Sequence, residues 1–164
     1  MNALAPLFLT RALLHRIRPQ AKVALVSSRM GSIGDNSSGG FYGYRMSKAA
    51  LNAAGVSLAH DLRPKGIAVV ILHPGAVRTG MTDGRGDIEP VESACGMLDR
   101  IDALELGTTG QFLHQNGTVL PWCKLLSRLT RGKPAGKTES RGHESRGHTK
   151  AGFPCPDSGQ TCRA

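Results

Sequence analysis

Tyr44 and Lys48 stand four residues apart at the start of a long Ala- and Leu-rich stretch. On a helix that spacing puts both side chains on one face, one turn apart. A phenol ordinarily releases its proton only near about pH 10, too high for ready exchange at neutral pH, and an ammonium beside it favours the phenolate. The pair is therefore a candidate acid and base. Alone, Tyr-x-x-x-Lys is a frequent accident of a solvated helix face, so its neighbours decide. Ser28 directly follows the β-prone run Lys22 to Ser27, which places a hydroxyl at a strand's carboxyl end. Thr79 closes Pro74-Gly75-Ala76-Val77-Arg78-Thr79, which follows a second such run. Ligands of open α/β sheets bind outside those ends. Ser28, Tyr44, Lys48 and Thr79 are thus expected at one crevice, an arrangement that core packing does not require.

The elements that must hold them follow from periodicity. Leu4, Leu7, Phe8, Leu14 and Ile17 recur at helical spacing until Pro19, so residues 2–18 read as an amphipathic helix. Residues 22–27 read as a buried strand and residues 30–40, rich in Gly, Ser, Asn and Asp, as a loop. A helix is predicted over 43–63, before Pro64-Lys65-Gly66. Residues 67–72 are continuously apolar, the mark of a central parallel strand. A third helix is expected from about Pro90 to Leu106, then a short strand at 111–113 and a turn at Asn116-Gly117. Alternation of this kind predicts an α/β fold with a mostly parallel sheet and right-handed crossovers.

On these residues the chain resembles the short-chain dehydrogenase/reductase family. Ser28-x-x-Gly31, Tyr44-x-x-x-Lys48 and Pro74-Gly75-x-x-x-Thr79 occur in the family's order, and Asn2-Ala3-Leu4-Ala5 is similar to the start of the helix with its fourth catalytic residue. The stretch from Ser27 to Asn52, with its long loop, looks most like the C-factor and sniffer-type carbonyl-reductase branch. The likeness covers Asn2 to Trp122. It implies the C-terminal half of a Rossmann-type doubly wound parallel sheet. Tyr44 would exchange a proton with the substrate oxygen, Ser28 would polarise it, and Asn2 would position Lys48 through water. Tyr44, Lys48, Pro74, Gly75, Val77 and Thr79 would hold the nicotinamide end of NADP or NAD. The substrate would be a small carbonyl or alcohol, and a homo-oligomer is compatible with the family.

One departure is large. No Gly-x-x-x-Gly-x-Gly turn follows a strand, although such a turn binds the pyrophosphate in the first half of a dinucleotide fold. Roughly a hundred residues of such an enzyme are expected to be missing before Met1, which leaves activity of this chain alone in question. The alternative is a non-catalytic fragment that docks on a full-length subunit through helices 2–18 and 43–63.

Composition sets the remaining bounds. The 164 residues carry a net charge of +9, but residues 1–122 hold 12 basic and 9 acidic side chains, while 123–164 hold 9 and 3. That split predicts a near-neutral domain over 1–122 and a disordered basic tail over 123–164, with a short helix around Leu125 and the tandem pentads Glu139–His143 and Glu144–His148. Nucleic acid is an unlikely partner for the domain. The apolar opening ends at Arg11, too short to span a membrane. Cys95 is the sole cysteine of residues 1–122 and reads as a small core residue; one cysteine suits a reducing compartment, the cytoplasm. No metal is expected, since His143, His148, Cys155 and Cys162 fit no compact zinc spacing.

Overall fold

The computed structural model describes residues 1–123. The basic tail, its short helix and its pentads lie outside them, save for Cys123, which is exposed. Among the described residues the main elements are α1 (Leu4–Leu13), β1 (Lys22–Val26), α2 (Tyr42–Leu62), β2 (Ala68–His73), α3 (Pro90–Asp102) and β3 (Phe112–His114). The three strands form a parallel sheet in the order β1-β2-β3, with Leu25 opposite Ile71 and Leu72 opposite Leu113. This is the α/β arrangement with a parallel sheet that the apolar runs predicted, and it is Rossmann-like, as the resemblance implied. β2 is central, and all six of its residues are buried, as continuous hydrophobicity demands of a strand covered on both faces.

The pleat sorts the core. Val23, Leu25 and Val69 point to one face, where α1 and α2 supply Leu7, Leu51, Leu58 and Leu62. Ala24, Val70 and Leu72 point to the other, where Met97 and Ile101 of α3 and Leu104 pack. Phe112 joins Ile71 and Leu120 and stacks on Trp122 at 4.9 Å. Gly55 lets α2 lie close on β2, because a Cβ there would come within 2.6 Å of Ile71 Cγ1. Since the strands step in one direction while α2 and α3 cover opposite faces, the two crossovers are of opposite hand. The expectation that both are right-handed fails for one of them.

Element ends differ from expectation for local reasons. The helix expected over 2–18 begins at Leu4, leaves α-geometry at Leu13 and continues as a 3-10 turn over Leu14–Arg16. Ile17 is extended at φ −83°, ψ 121°, so the helical backbone has ended two residues before Pro19. α3 starts at Pro90 as predicted but stops at Asp102 rather than Leu106. Leu104 turns inward and is buried beneath β2, and Leu106 opens a separate 3-10 turn. Cys95 is exposed on α3, not in the core. No helix among the described residues is long and apolar enough to cross a membrane.

Candidate active site

β1 and β2 end side by side, and the chemistry-bearing residues begin there. The Ser27 amide donates to the Leu72 carbonyl at 2.7 Å, one ladder bond past β1. Its buried hydroxyl donates to Asn52 Oδ1, which ties the strand end to α2. Ser28 is extended and caps the 3-10 turn Arg29–Gly31, its Oγ accepting from the Met30 amide at 3.2 Å. Gly31 is required by closeness: a Cβ would lie 2.7 Å from the Lys48 carbonyl carbon and 2.8 Å from Asn52 Nδ2. The spacing Ser28-x-x-Gly31 therefore lays the serine against the turn of α2 that carries Tyr44 and Lys48.

A cavity of about 1130 Å³ opens at this edge. Ser28, Tyr44, Pro74, Gly75, Val77 and Thr79 all line it, as do Met30, Phe41, Met81 and Met97. Lys48 and Asn2 line a second cavity of about 480 Å³ beside β1. Lys48 of the smaller cavity and Tyr44 of the larger are neighbours, with Lys48 Nζ 5.8 Å from the Tyr44 ring centroid. Nζ also donates to the Val26 carbonyl at 3.2 Å, and burial lowers its pKa. Asn2 is tied to the same turn of α2 at a different point. Its amide donates to Ser47 Oγ at 3.3 Å, and Ser47 Oγ donates to the Tyr44 carbonyl at 2.8 Å.

The Pro74–Thr79 turn is fixed from two sides. Ser93 Oγ on α3 donates to the Pro74 carbonyl at 2.6 Å. Gly75 has φ +88°, and a Cβ there would come 2.9 Å from Ile88 Cδ1. Val77 bridges Ile88, and the Thr79 amide donates to Thr82 Oγ1 at 3.0 Å.

Sequence reasoning passed over His73, which also lines the large cavity. It is buried, with Nδ1 unpartnered, and stands edge-on to His114 at 5.0 Å. Burial lowers its pKa to about 4, helped by His114 and Arg29 and opposed by Asp35. The imidazole is thus neutral at physiological pH. A histidine ending an apolar run was the signal available, but its partner 41 residues on follows only from the β2–β3 register.

These features suit the nicotinamide and ribose end of a dinucleotide. A cavity of this size is lined by Ser28 and Tyr44 together with Pro74, Gly75, Val77 and Thr79. Lys48 keeps donor capacity beyond its single bond to Val26. No Gly-x-x-x-Gly-x-Gly turn between a strand and a helix occurs among the described residues.

Comparison with known proteins found a matching family and similar chains. The family described as short chain dehydrogenase matches over residues 1–89. The chain is 48% identical over 124 residues to C-signal of Myxococcus xanthus, covering 74% of this chain and 75% of that protein. It is 45% identical over 126 residues to 1-hydroxy-2-glutathionyl-2-methyl-3-butene dehydrogenase of Rhodococcus sp. (strain AD45), covering 74% of this chain and 56% of that one. Among solved structures, carbonyl reductase Sniffer of D. melanogaster superposes with a TM-score of 0.69 at 35% identity, over 74% of this chain and 54% of Sniffer. An NADPH-bound carbonyl reductase from chicken fatty liver gives 0.67 at 34%, again with 74% and 54% covered. The chain therefore spans little more than half of the Rhodococcus dehydrogenase and of both reductases.

Proposed function

Because the chain belongs to the short-chain dehydrogenase/reductase family, we propose that its large cavity is the catalytic end of an NAD(P)-dependent carbonyl reductase or alcohol dehydrogenase. When bound, the nicotinamide supplies or accepts the hydride. Tyr44 donates its phenolic proton to the substrate oxygen during reduction and removes it during oxidation. Ser28 Oγ hydrogen-bonds the same oxygen and stabilises the charge that builds on it. Lys48 holds the ribose hydroxyls and, 5.8 Å from the Tyr44 ring centroid, favours the phenolate electrostatically. Asn2 anchors the first turns of α2 through Ser47. Pro74, Gly75, Val77 and Thr79 orient the nicotinamide ring. The single observation that carries the reading is that Ser28, Tyr44 and the Pro74–Thr79 turn, spread over fifty residues of sequence, line one cavity.

The scarcity of cysteine in residues 1–122 supports a reducing compartment such as the cytoplasm as the place of action. The test is loss of NADPH or NADH absorbance with a ketone substrate. The wild type turns over and Tyr44→Phe does not; a Tyr44→Phe enzyme of undiminished rate would contradict the assignment.

A second reading has its own observation. Leu4, Phe8, Leu9 and Leu13 of α1 and Tyr42 and Met46 of α2 are exposed, an apolar surface of the kind that marks protein contacts. On this reading the chain docks without catalysis on a full-length subunit of the family. Co-elution with such a subunit, lost on Phe8→Glu, supports it, and separate elution contradicts it.

A further inference from the structure

The loop between Ser28 and Tyr44 ends in an unusual way. Gly39, Gly40 and Phe41 are consecutive left-handed residues, at φ +65°, +65° and +51°. Glycine adopts that conformation freely, whereas a phenylalanine held there is strained by about 1–3 kcal/mol unless its surroundings over-determine it. The Arg45 side chain braces the two glycines that lead into it. Its Nε donates to the carbonyls of Gly39 and Gly40 at 3.3 and 3.1 Å. Nη2 donates to the Gly39 carbonyl at 3.1 Å and to Ser38 Oγ at 3.0 Å, and Nη1 to the Met30 carbonyl at 3.4 Å. One planar guanidinium thus fastens the loop's far end to the Ser28 turn at its near end, a forked geometry that a lysine cannot reproduce.

The residue after the fastened glycines, Phe41, lines the same cavity as Ser28 and Tyr44 yet is 73% exposed; Met81, also lining it, is 87% exposed. With Met30 and Met97 they give the reactive hydroxyls an apolar wall that solvent covers in the absence of a ligand. Exposed aromatic and methionine side chains beside a polar pair are what a bulky apolar molecule with one polar oxygen would cover.

We infer that Arg45 is a positioning residue that locks the left-handed turn at Gly39–Phe41, and that Phe41 is thereby set as the wall that selects aromatic or alicyclic carbonyl compounds over small aliphatic ones. This deepens the reductase reading and rests on it. The test uses the full chain and needs no turnover. Affinities for acetophenone and acetone are measured by ligand-observed NMR for the wild type, Phe41→Ala and Arg45→Lys. Amide hydrogen exchange is followed over residues 38–41. The wild type prefers acetophenone, and Phe41→Ala reduces that preference about tenfold, the scale of one lost aromatic contact. Arg45→Lys accelerates exchange at Gly39, Gly40 and Phe41 and reduces the preference in the same direction.

Equal affinity of the wild type for both ketones overturns the substrate assignment. Unchanged exchange and unchanged preference in Arg45→Lys overturn the clamp. Neither result depends on whether Tyr44→Phe abolishes turnover, so the reductase reading stands or falls separately.

Discussion

β1 and β2 pair residue for residue, yet the two strands live in different surroundings. Every position of β2 is buried, with a strand on each side, α2 over one face and α3 under the other. Among the described residues β1 has a neighbour on one side only, and its final residue, Val26, is 51% exposed beside the cavity that Lys48 lines. The folding energy is thus concentrated at β2, whereas the proposed reactive groups stand where the two strands end together. Stability and chemistry are separable here, and substitutions can separate them.

Tyr44→Phe should show the largest effect of all, with turnover falling by roughly 10²–10⁴-fold, the span that one positioned proton donor contributes. Its melting temperature should stay near the wild-type value, because no side-chain hydrogen bond of the Tyr44 hydroxyl supports the described fold. Loss of the fold together with the activity would merge what β1 and β2 keep apart.

Ile71→Ala on β2 should do the reverse, costing about 2–5 kcal/mol of stability by leaving a buried cavity. Val26→Ala on the edge strand should stay within about 0.5 kcal/mol. Denaturant unfolding of both variants checks the pair. Equal losses would mean that β1 is as covered as β2.

Gly31→Ala sharpens the contrast at the join between strand end and α2. Its Cβ would press on the Lys48 backbone, and overpacking of that kind costs about 1–3 kcal/mol. Turnover should suffer as well, since Ser28 and Lys48 move apart. An active, fully stable variant would show that the close approach is dispensable.

A further effect concerns pH. Burial holds His73 at about 4, below its ordinary 6.5, and lowers His114 as well. Between those values the unfolded chain binds the proton and the folded chain does not, so stability is full above about pH 6.5 and declines as pH falls toward 4. His73→Gln should flatten that slope in thermal melts between pH 4 and 7. An unchanged slope would place the titration elsewhere.

Much of the site was legible because its signals are local. Ser28 follows a β-prone run, Tyr44 and Lys48 obey helical spacing, and Pro74–Thr79 follows an unbroken apolar strand. All but Lys48 of these line one cavity. The rest depends on tertiary geometry. Arg45 reads as any charged residue on a helix until three left-handed residues bring their carbonyls to it. His73 and His114 meet only through strand register. Leu104 and Leu106 keep a hydrophobic rhythm that reads as helix, while the chain has already turned to bury Leu104. Cys95 shows that an apolar residue type on an amphipathic helix does not fix which face it takes.

The central claim is that Lys48, Tyr44 and the Pro74–Thr79 turn form the nicotinamide end of a dinucleotide site. Calorimetric titration of the purified chain with NADPH and NADH, beside Lys48→Ala, tests it most directly. Saturable binding that Lys48→Ala weakens is the predicted result. Binding that Lys48→Ala leaves untouched, or no binding of either cofactor, would contradict it.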